Sequence, residues 1–175
     1  MAGATYQPGC RDMPDPGLML RILLLLGIAN AIPILATRLL GNRFGTPLDG
    51  GLVLPDGQPL FGASKTIRGL VLSIPLTAAI AVPIGFDWWT GAGLAAASMG
   101  GDLLSSFVKR RLRLPLHGQA FGLDQVPEAL LPMLLFQASL RLTAVEIAVV
   151  LAAFIILELW LSPLLFRLHI RDRPY

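Results

Sequence analysis

Residues 93–111, GLAAASMGGDLLSSFVKRR, decide what kind of protein this is. The first half is small and uncharged. The second half, continued by two residues, sets Asp102, Ser105, Ser106, Lys109 and Arg113 at i, i+3, i+4, i+7 and i+11. On a helix of 3.6 residues per turn these form one polar stripe along an otherwise apolar rod. An aspartate inside an apolar membrane span costs roughly 2.5–3.5 kcal/mol and is usually kept for a function. Carboxylate oxygens take Mg²⁺, the metal bridges phosphate oxygens, and Lys109, Arg110 and Arg111 suit phosphate. The competing reading is a structural Asp–Lys or Asp–Arg pair, but gluing a bundle needs one pair, not a stripe of five. Gly91 to Ala97 read as close helix packing, and Gly100 and Gly101 as room for a ligand beside Asp102.

The rest of the chain fits a membrane setting. Of 175 residues, 54% are hydrophobic and 14% charged, and the mean hydropathy is +0.68. A soluble domain carries about 25% charged residues, so this chain has too few to cover a globule in water. Disorder, a coiled coil and a secreted disulfide scaffold are excluded by the same figures. Cys10 has no partner for an internal bridge, and no Cys/His spacing points to zinc.

Five apolar stretches follow: 18–40, 69–86, 88–108, 126–142 and 145–166. They predict an all-α integral membrane protein, one domain over residues 1–175, with five transmembrane helices. The last two would form a tight hairpin. A four-span arrangement, with that hairpin dipping back, is the alternative. The tail 1–17 lacks the pattern of a secretory signal.

Eleven of the fourteen basic residues (Arg38, Arg43, Lys65, Arg68, Lys109, Arg110, Arg111, Arg113, Arg167, Arg171 and Arg173) would share one side. Arg11, Arg21 and Arg141 are left on the other. The positive-inside rule then puts the N-terminus outside and the C-terminus in the cytoplasm of a multi-pass cell-membrane protein. The basic charge therefore points to anionic headgroups or phosphate-bearing substrates, not to nucleic acid. Both sizeable loops, 41–68 and 109–125, fall on the cytoplasmic side, so the polar chemistry faces one compartment.

In the second loop Asp124 and Glu128 stand four apart at the entrance to the fourth span, on one face of a helix starting there. Pro127 fits its first turn. Plain capping by Asp124 is the competing reading, and a lone His117 signals little. The first loop ends in Gly62-Ala-Ser-Lys65-Thr66-Ile-Arg68-Gly69. It is not a P-loop, because Ser64 stands where glycine must precede the lysine. It predicts a turn opening a helix whose first turn holds Lys65, Thr66 and Arg68, a ready phosphate site. An ordinary snorkelling Lys/Arg pair is the alternative.

Four segments together resemble the CDP-archaeol synthase family, small relatives of the CDP-diacylglycerol synthases. They are Asn30-Ala-Ile-Pro33; Pro47-Leu-Asp49-Gly-Gly51 with Asp56-Gly57; Phe61-Gly62 through Lys65-Thr66-Ile-Arg68-Gly69; and Gly101-Asp102 through Lys109-Arg110-Arg111, continuing to Leu123-Asp124-Gln125. The resemblance implies a cytidylyltransferase that joins CTP to a membrane lipid phosphate, archaetidic-acid-like or phosphatidic-acid-like, releasing pyrophosphate. It implies Asp102, Asp124 and Lys109 as catalytic residues and two Mg²⁺ ions on Asp102, Asp124 and Glu128. Lys65, Thr66, Arg68, Ser105, Ser106, Arg110 and Arg111 would bind substrate phosphates. Asp49 and Asp56 match the family's loop and also suit turns. One position departs from the family pattern: Pro127 stands where a second aspartate is expected, with Glu128 next to it as the substitute. A homo-oligomer is compatible with this reading. A transporter or channel subunit would need polar positions on several spans; a non-catalytic relative would not bind CTP with Mg²⁺.

Overall fold

The computed structural model describes residues 13–41, 43–114 and 122–167, the last five as backbone only. Expectations for the tail through Arg11, for Cys10, His117 and Gly118, and for Arg171 and Arg173 lie outside the described residues. The elements are α1 (Pro16–Leu40), α2 (Ile67–Ala81, prolonged by a 3-10 turn at Val82–Ile84), α3 (Trp88–Arg111), α4 (Gln125–Leu135), the single turn α5 (Gln137–Leu140) and α6 (Ala144–Arg167). No strand occurs among the described residues; loop 41–68 carries two isolated bridges, Pro47 with Thr66 and Val53 with Pro59.

Helix starts follow local chemistry. Asp15 caps α1 by accepting from the N–H groups of Gly17 and Leu18, with Pro16 in the first turn, where no donor is needed. Thr66 caps α2 and Asp87 caps α3. The first turn of α2 thus begins at Ile67, two residues later than expected, and Lys65 stands just before the cap.

Three stretches are long and apolar enough to cross a membrane: Pro16–Leu40, Ile67–Ile84 and Ala144–Ser162. Leucines and valines such as Leu20, Leu76, Val149 and Leu157 point outward, whereas the interior is built of Ala29, Ala78, Ala81 and Ala95 with Leu26, Leu94 and Phe154. That inversion belongs to a membrane protein. The other two expected spans do not stand out in the same way. At 24 residues α3 is long enough, but its polar stripe keeps it from qualifying by composition. The stretch 126–142 is not one helix. It breaks at Phe136, and α5 ends on Arg141 in the left-handed conformation. At 1.5 Å per residue the 11-residue α4 is only about 16 Å long. The link to α6 is nonetheless as short as the hairpin reading required.

α3 lies at the centre, packed on α1, α2 and α4, and α6 closes the bundle against α1 and α4. Glycines permit the approach at two crossings. A Cβ on Gly91 would overlap Ala81 of α2, and one on Gly101 would overlap the Pro127 carbonyl of α4. Gly101 is therefore a packing glycine, not the ligand gap expected from its place beside Asp102. Polar staples cross the interior as well. Ser73 donates to the Ala29 carbonyl at 2.7 Å, and Asn30 donates to Ser98 at 3.3 Å.

Candidate functional site

The approach of α4 to Gly101 brings Glu128 beside Asp102, so that the two carboxyl groups feel each other's charge. Bare carboxylates repel, so a proton or a cation belongs in that contact. A cation is at hand: Lys65, just before α2, donates to both Asp102 oxygens at 2.5 and 2.6 Å. Burial pulls the Lys65 ammonium down. Asp102, with Glu128 and Asp124 behind it, outweighs that and holds it above the ordinary lysine range. Two turns further along α3, Lys109 donates to Asp124 at 3.0 Å. Both ion pairs are largely shielded, the lysine side chains being 23% and 11% exposed. Pairs so placed keep far more of their attraction than surface pairs do.

Ser105 donates to the Gly101 carbonyl at 2.9 Å and lies 3.4 Å from the Asp124 carbonyl, joining the two halves of the cluster. Ser106 and Arg110 are buried on the same α3 surface. Of the sequence-predicted site residues, Asp102, Ser105, Ser106, Lys109, Arg110, Asp124, Glu128 and Lys65 thus come together around the C-terminal half of α3. Asp124 does not cap α4 with its side chain; the carboxylate is spent on Lys109, which disposes of plain capping.

Four other expected residues fall elsewhere. Arg113 leaves the stripe, because α3 ends at Arg111 and Arg113 takes a left-handed backbone conformation. Arg68 is buried, and its Nη1 donates to the carbonyls of Gly41 (2.7 Å) and Arg43 (2.5 Å), tying the end of α1 to the start of α2. Thr66 spends its hydroxyl on the Gly69 N–H. Arg111 turns away from the carboxylates. It donates to Asp56 at 2.5 Å and to the Pro59 carbonyl at 2.7 Å, with its guanidinium 5.3 Å from the Phe107 ring centre.

The reading from sequence treated Asp49 and Asp56 as turn formers and missed what they hold. Asp49 Oδ2 accepts from the N–H groups of Phe61 (2.9 Å) and Gly62 (3.0 Å), and Oδ1 from Gly51 (3.0 Å). The available signal was the Asp-Gly pairing at 49–50 and 56–57, which marks turns without naming the distant partner.

The donor set suits a hard cation. Among the described residues no three His, Cys, Asp or Glu side chains converge into a ready cage. Mg²⁺, however, is commonly held by one or two carboxylates, with water and substrate phosphates completing its shell. Asp102 with Glu128 alongside meets that requirement.

No family model matches the chain. Individual relatives do. It is 34% identical over 110 residues to the CDP-archaeol synthase of Saccharolobus islandicus, a stretch that is 59% of this chain and 66% of that one. To the CDP-archaeol synthase of Pyrobaculum calidifontis it is 36% identical over 114 residues, 62% of this chain and 67% of the relative. To that of Sulfolobus acidocaldarius it is 30% identical over 162 residues, 87% of this chain and 98% of the relative. A solved structure of an intramembrane enzyme for archaeal membrane-lipid biosynthesis superposes with a TM-score of 0.69 at 30% identity, covering 82% of this chain and 91% of that one. On likeness in both sequence and fold, the chain belongs to the CDP-archaeol synthase family.

Proposed function

We propose that the protein is a CTP-dependent lipid-phosphate cytidylyltransferase. An oxygen of a membrane lipid phosphate attacks the α-phosphorus of CTP. The bond from that phosphorus to the bridging oxygen of the β-phosphate breaks, and pyrophosphate leaves with the electron pair, giving a CDP-activated lipid. The attacking phosphate is already ionised, so positioning and charge neutralisation carry the catalysis rather than proton transfer. The observation that carries this reading is the cluster of Asp102, Glu128 and Asp124 interleaved with Lys65 and Lys109 in a bundle whose outer surface is apolar.

In this reading Lys65 and Lys109, with Arg110, receive the phosphates of CTP and lipid, and Ser105 and Ser106 line the reacting region. Mg²⁺ bound by Asp102, Asp124 and Glu128 would supply neutralisation of the phosphate oxygens. Its donors are acids that in the free protein are balanced by the two lysines, so the same lysines are released for phosphate once the acids are otherwise neutralised.

The bundle sits with its N-terminus outside and the site open to the cytoplasm, α3 and the α4–α5 pair completing five passages. The short α4 is then the place where the chain enters the membrane interior, which irregular backbone tolerates only when it lines a cavity. Cysteines at positions 56 and 118 should be labelled from the cytoplasmic side, and at 87 and 143 from outside.

Incubating purified protein with CTP, Mg²⁺ and a panel of isoprenoid-ether and acyl-ester lipid phosphates, while following pyrophosphate release, tests the reaction. Release that needs a lipid phosphate supports it. Absence of release with every lipid, from protein that is folded, overturns it.

A further inference from the structure

Loop 41–68 is a continuous ladder of bonds, and α3 holds it at both ends. At the base, Leu48 N–H donates to the Lys65 carbonyl at 2.7 Å and Ile67 N–H to the Thr46 carbonyl at 3.1 Å. Next comes Asp49, gripping the N–H groups of Phe61 and Gly62. Further out, Leu60 N–H donates to the Leu52 carbonyl and Leu54 N–H to the Gln58 carbonyl, both at 2.9 Å. The tip, Asp56 to Pro59, ends on Arg111. The base ends on Asp102 through the Lys65 ammonium. Asp102 and Arg111 are nine residues apart on α3, or about 13 Å along its axis, so the loop lies along the end of that helix like a strap.

Both terminal nitrogens of Arg111 are engaged by this arrangement, and only the buried Nε is left without a partner. One terminal nitrogen is taken by Asp56, the other by the Pro59 carbonyl at 2.7 Å and the Gln58 carbonyl at 3.4 Å, and Phe107 lies against the guanidinium. Its planar fork matches a carboxylate and a carbonyl at once, which a lysine at this position could not do. A phosphate taking the two terminal nitrogens would have to displace these partners.

We propose that Arg111 is a positioning residue: it holds the tip of loop 41–68 so that Lys65, at the far end of the same ladder, is kept at the site beside Asp102, poised to pass from that carboxylate to phosphate. This rests on the cytidylyltransferase reading for its kinetic consequence but not for its structural one. When the tip is released, the molecules with Lys65 in place become a fraction of the whole. Apparent affinity for CTP falls by that fraction, and saturating CTP restores the seated form. A group touching the transferring phosphate would instead lower kcat. A general loss of folded protein would lower the measured rate without moving KM.

The experiment compares Arg111→Gln, Asp56→Asn, the double variant and Arg111→Lys in lipid nanodiscs by two measurements. The first is amide hydrogen exchange across residues 46–62. The second is pyrophosphate release with CTP titrated. Exchange at Leu54, Gly57 and Leu60 should rise in both single variants and no further in the double. KM for CTP should rise about tenfold in each single variant and in the double alike, with kcat within about twofold of the parent. Arg111→Lys, able to keep one contact of the set, should recover part of both. The proposal is overturned if Arg111→Gln lowers kcat while Asp56→Asn does not, or if neither variant changes exchange. Should the parent release no pyrophosphate, the cytidylyltransferase reading fails by itself and the exchange measurement decides whether Arg111 holds the strap.

Discussion

Each end of the bundle shields acidic side chains, wholly at one end and partly at the other, and the two ends satisfy them oppositely. At the end where α1 and α6 begin, Glu146 is wholly buried. One of its oxygens accepts from the Asp15 N–H at 2.8 Å, the other from the Thr143 N–H at 2.9 Å and the Thr143 hydroxyl at 3.0 Å. Thr143 returns a bond to the Glu146 N–H at 3.2 Å, a reciprocal cap that also reaches a second helix. At the other end, Asp102 and Asp124 accept from ammonium groups on long, flexible stems. Backbone donors cannot leave, so the Glu146 arrangement is a rivet. Lysine donors can, so the Asp102 and Asp124 arrangement is an exchangeable one. A buried acid in a membrane helix is therefore no sign of function by itself; the mobility of the group that satisfies it is.

The comparison breaks first at Asp102. Asp102→Asn should lower pyrophosphate release by about 100-fold or more, the scale of removing a preorganised charge from a reacting site, while the protein still inserts and purifies. Near-normal turnover from a folded Asp102→Asn protein would end the assignment. Glu146→Ala should do the reverse. It strands buried N–H groups at two helix starts, costing about 2–3 kcal/mol of stability, with activity per folded molecule unchanged. A melting temperature equal to the parent's would show that the rivet is decorative.

Gly101→Ala joins the two behaviours. Its Cβ meets the Pro127 carbonyl, so α3 and α4 must part, at about 1–3 kcal/mol, and Glu128 leaves Asp102. Stability and turnover should fall together, which parallel melting and rate measurements would register. The smallest effect concerns acid. Burial pushes the Asp49 carboxyl up, but the N–H groups of Gly62, Phe61 and Gly51 outweigh this and hold it below the usual carboxylate range. A pKa depressed by folding gives stability that is complete above the unfolded value of about 3.9 and lost as pH falls through the folded one. Amide protection in loop 41–68, taken relative to the intrinsic exchange rate at each pH, should thus stay level from neutral pH down to about pH 5 and fall below about pH 4. Asp49→Asn should exchange faster at every pH and lose most of that acid step.

Much of this was legible in the chain because helical period and caps are local. α1, α2, α3 and α6 begin within a few residues of the apolar stretches that announce them, and the Asp102–Lys109 face follows from spacing alone. The break after α4 was not legible, since Phe136 and Arg141 carry no helix-stopping signature of the Gly or Pro kind. Partner choice was hidden for another reason. Lys65 meets Asp102 across 37 positions and Arg111 meets Asp56 across 55, and nothing in the neighbourhood of any of these residues encodes the other. Lysines and arginines all read as phosphate ligands until the fold showed that Arg68 and Arg111 are committed to the loop and the helix ends. Gly101 misled because an absent side chain looks the same whether it makes room for a ligand or for a neighbouring backbone.

The shortness of α4 has a consequence for the lipid around the molecule. The wall it forms carries Leu134 and Leu135 outward, yet α4 extends only about 16 Å at 1.5 Å per residue, against a hydrocarbon core of about 30 Å. In the proposed five-passage arrangement the bilayer would meet a low apolar step on that flank, where the neighbouring helices are tall. Acyl or isoprenoid chains there would tilt or thin the leaflet, at a cost of fractions of a kcal/mol per Å, and headgroups would ride down toward the ends of α3 and α4. The protein would then deform its own solvent in one direction, and membranes of different thickness would present lipid phosphate to it at different depths.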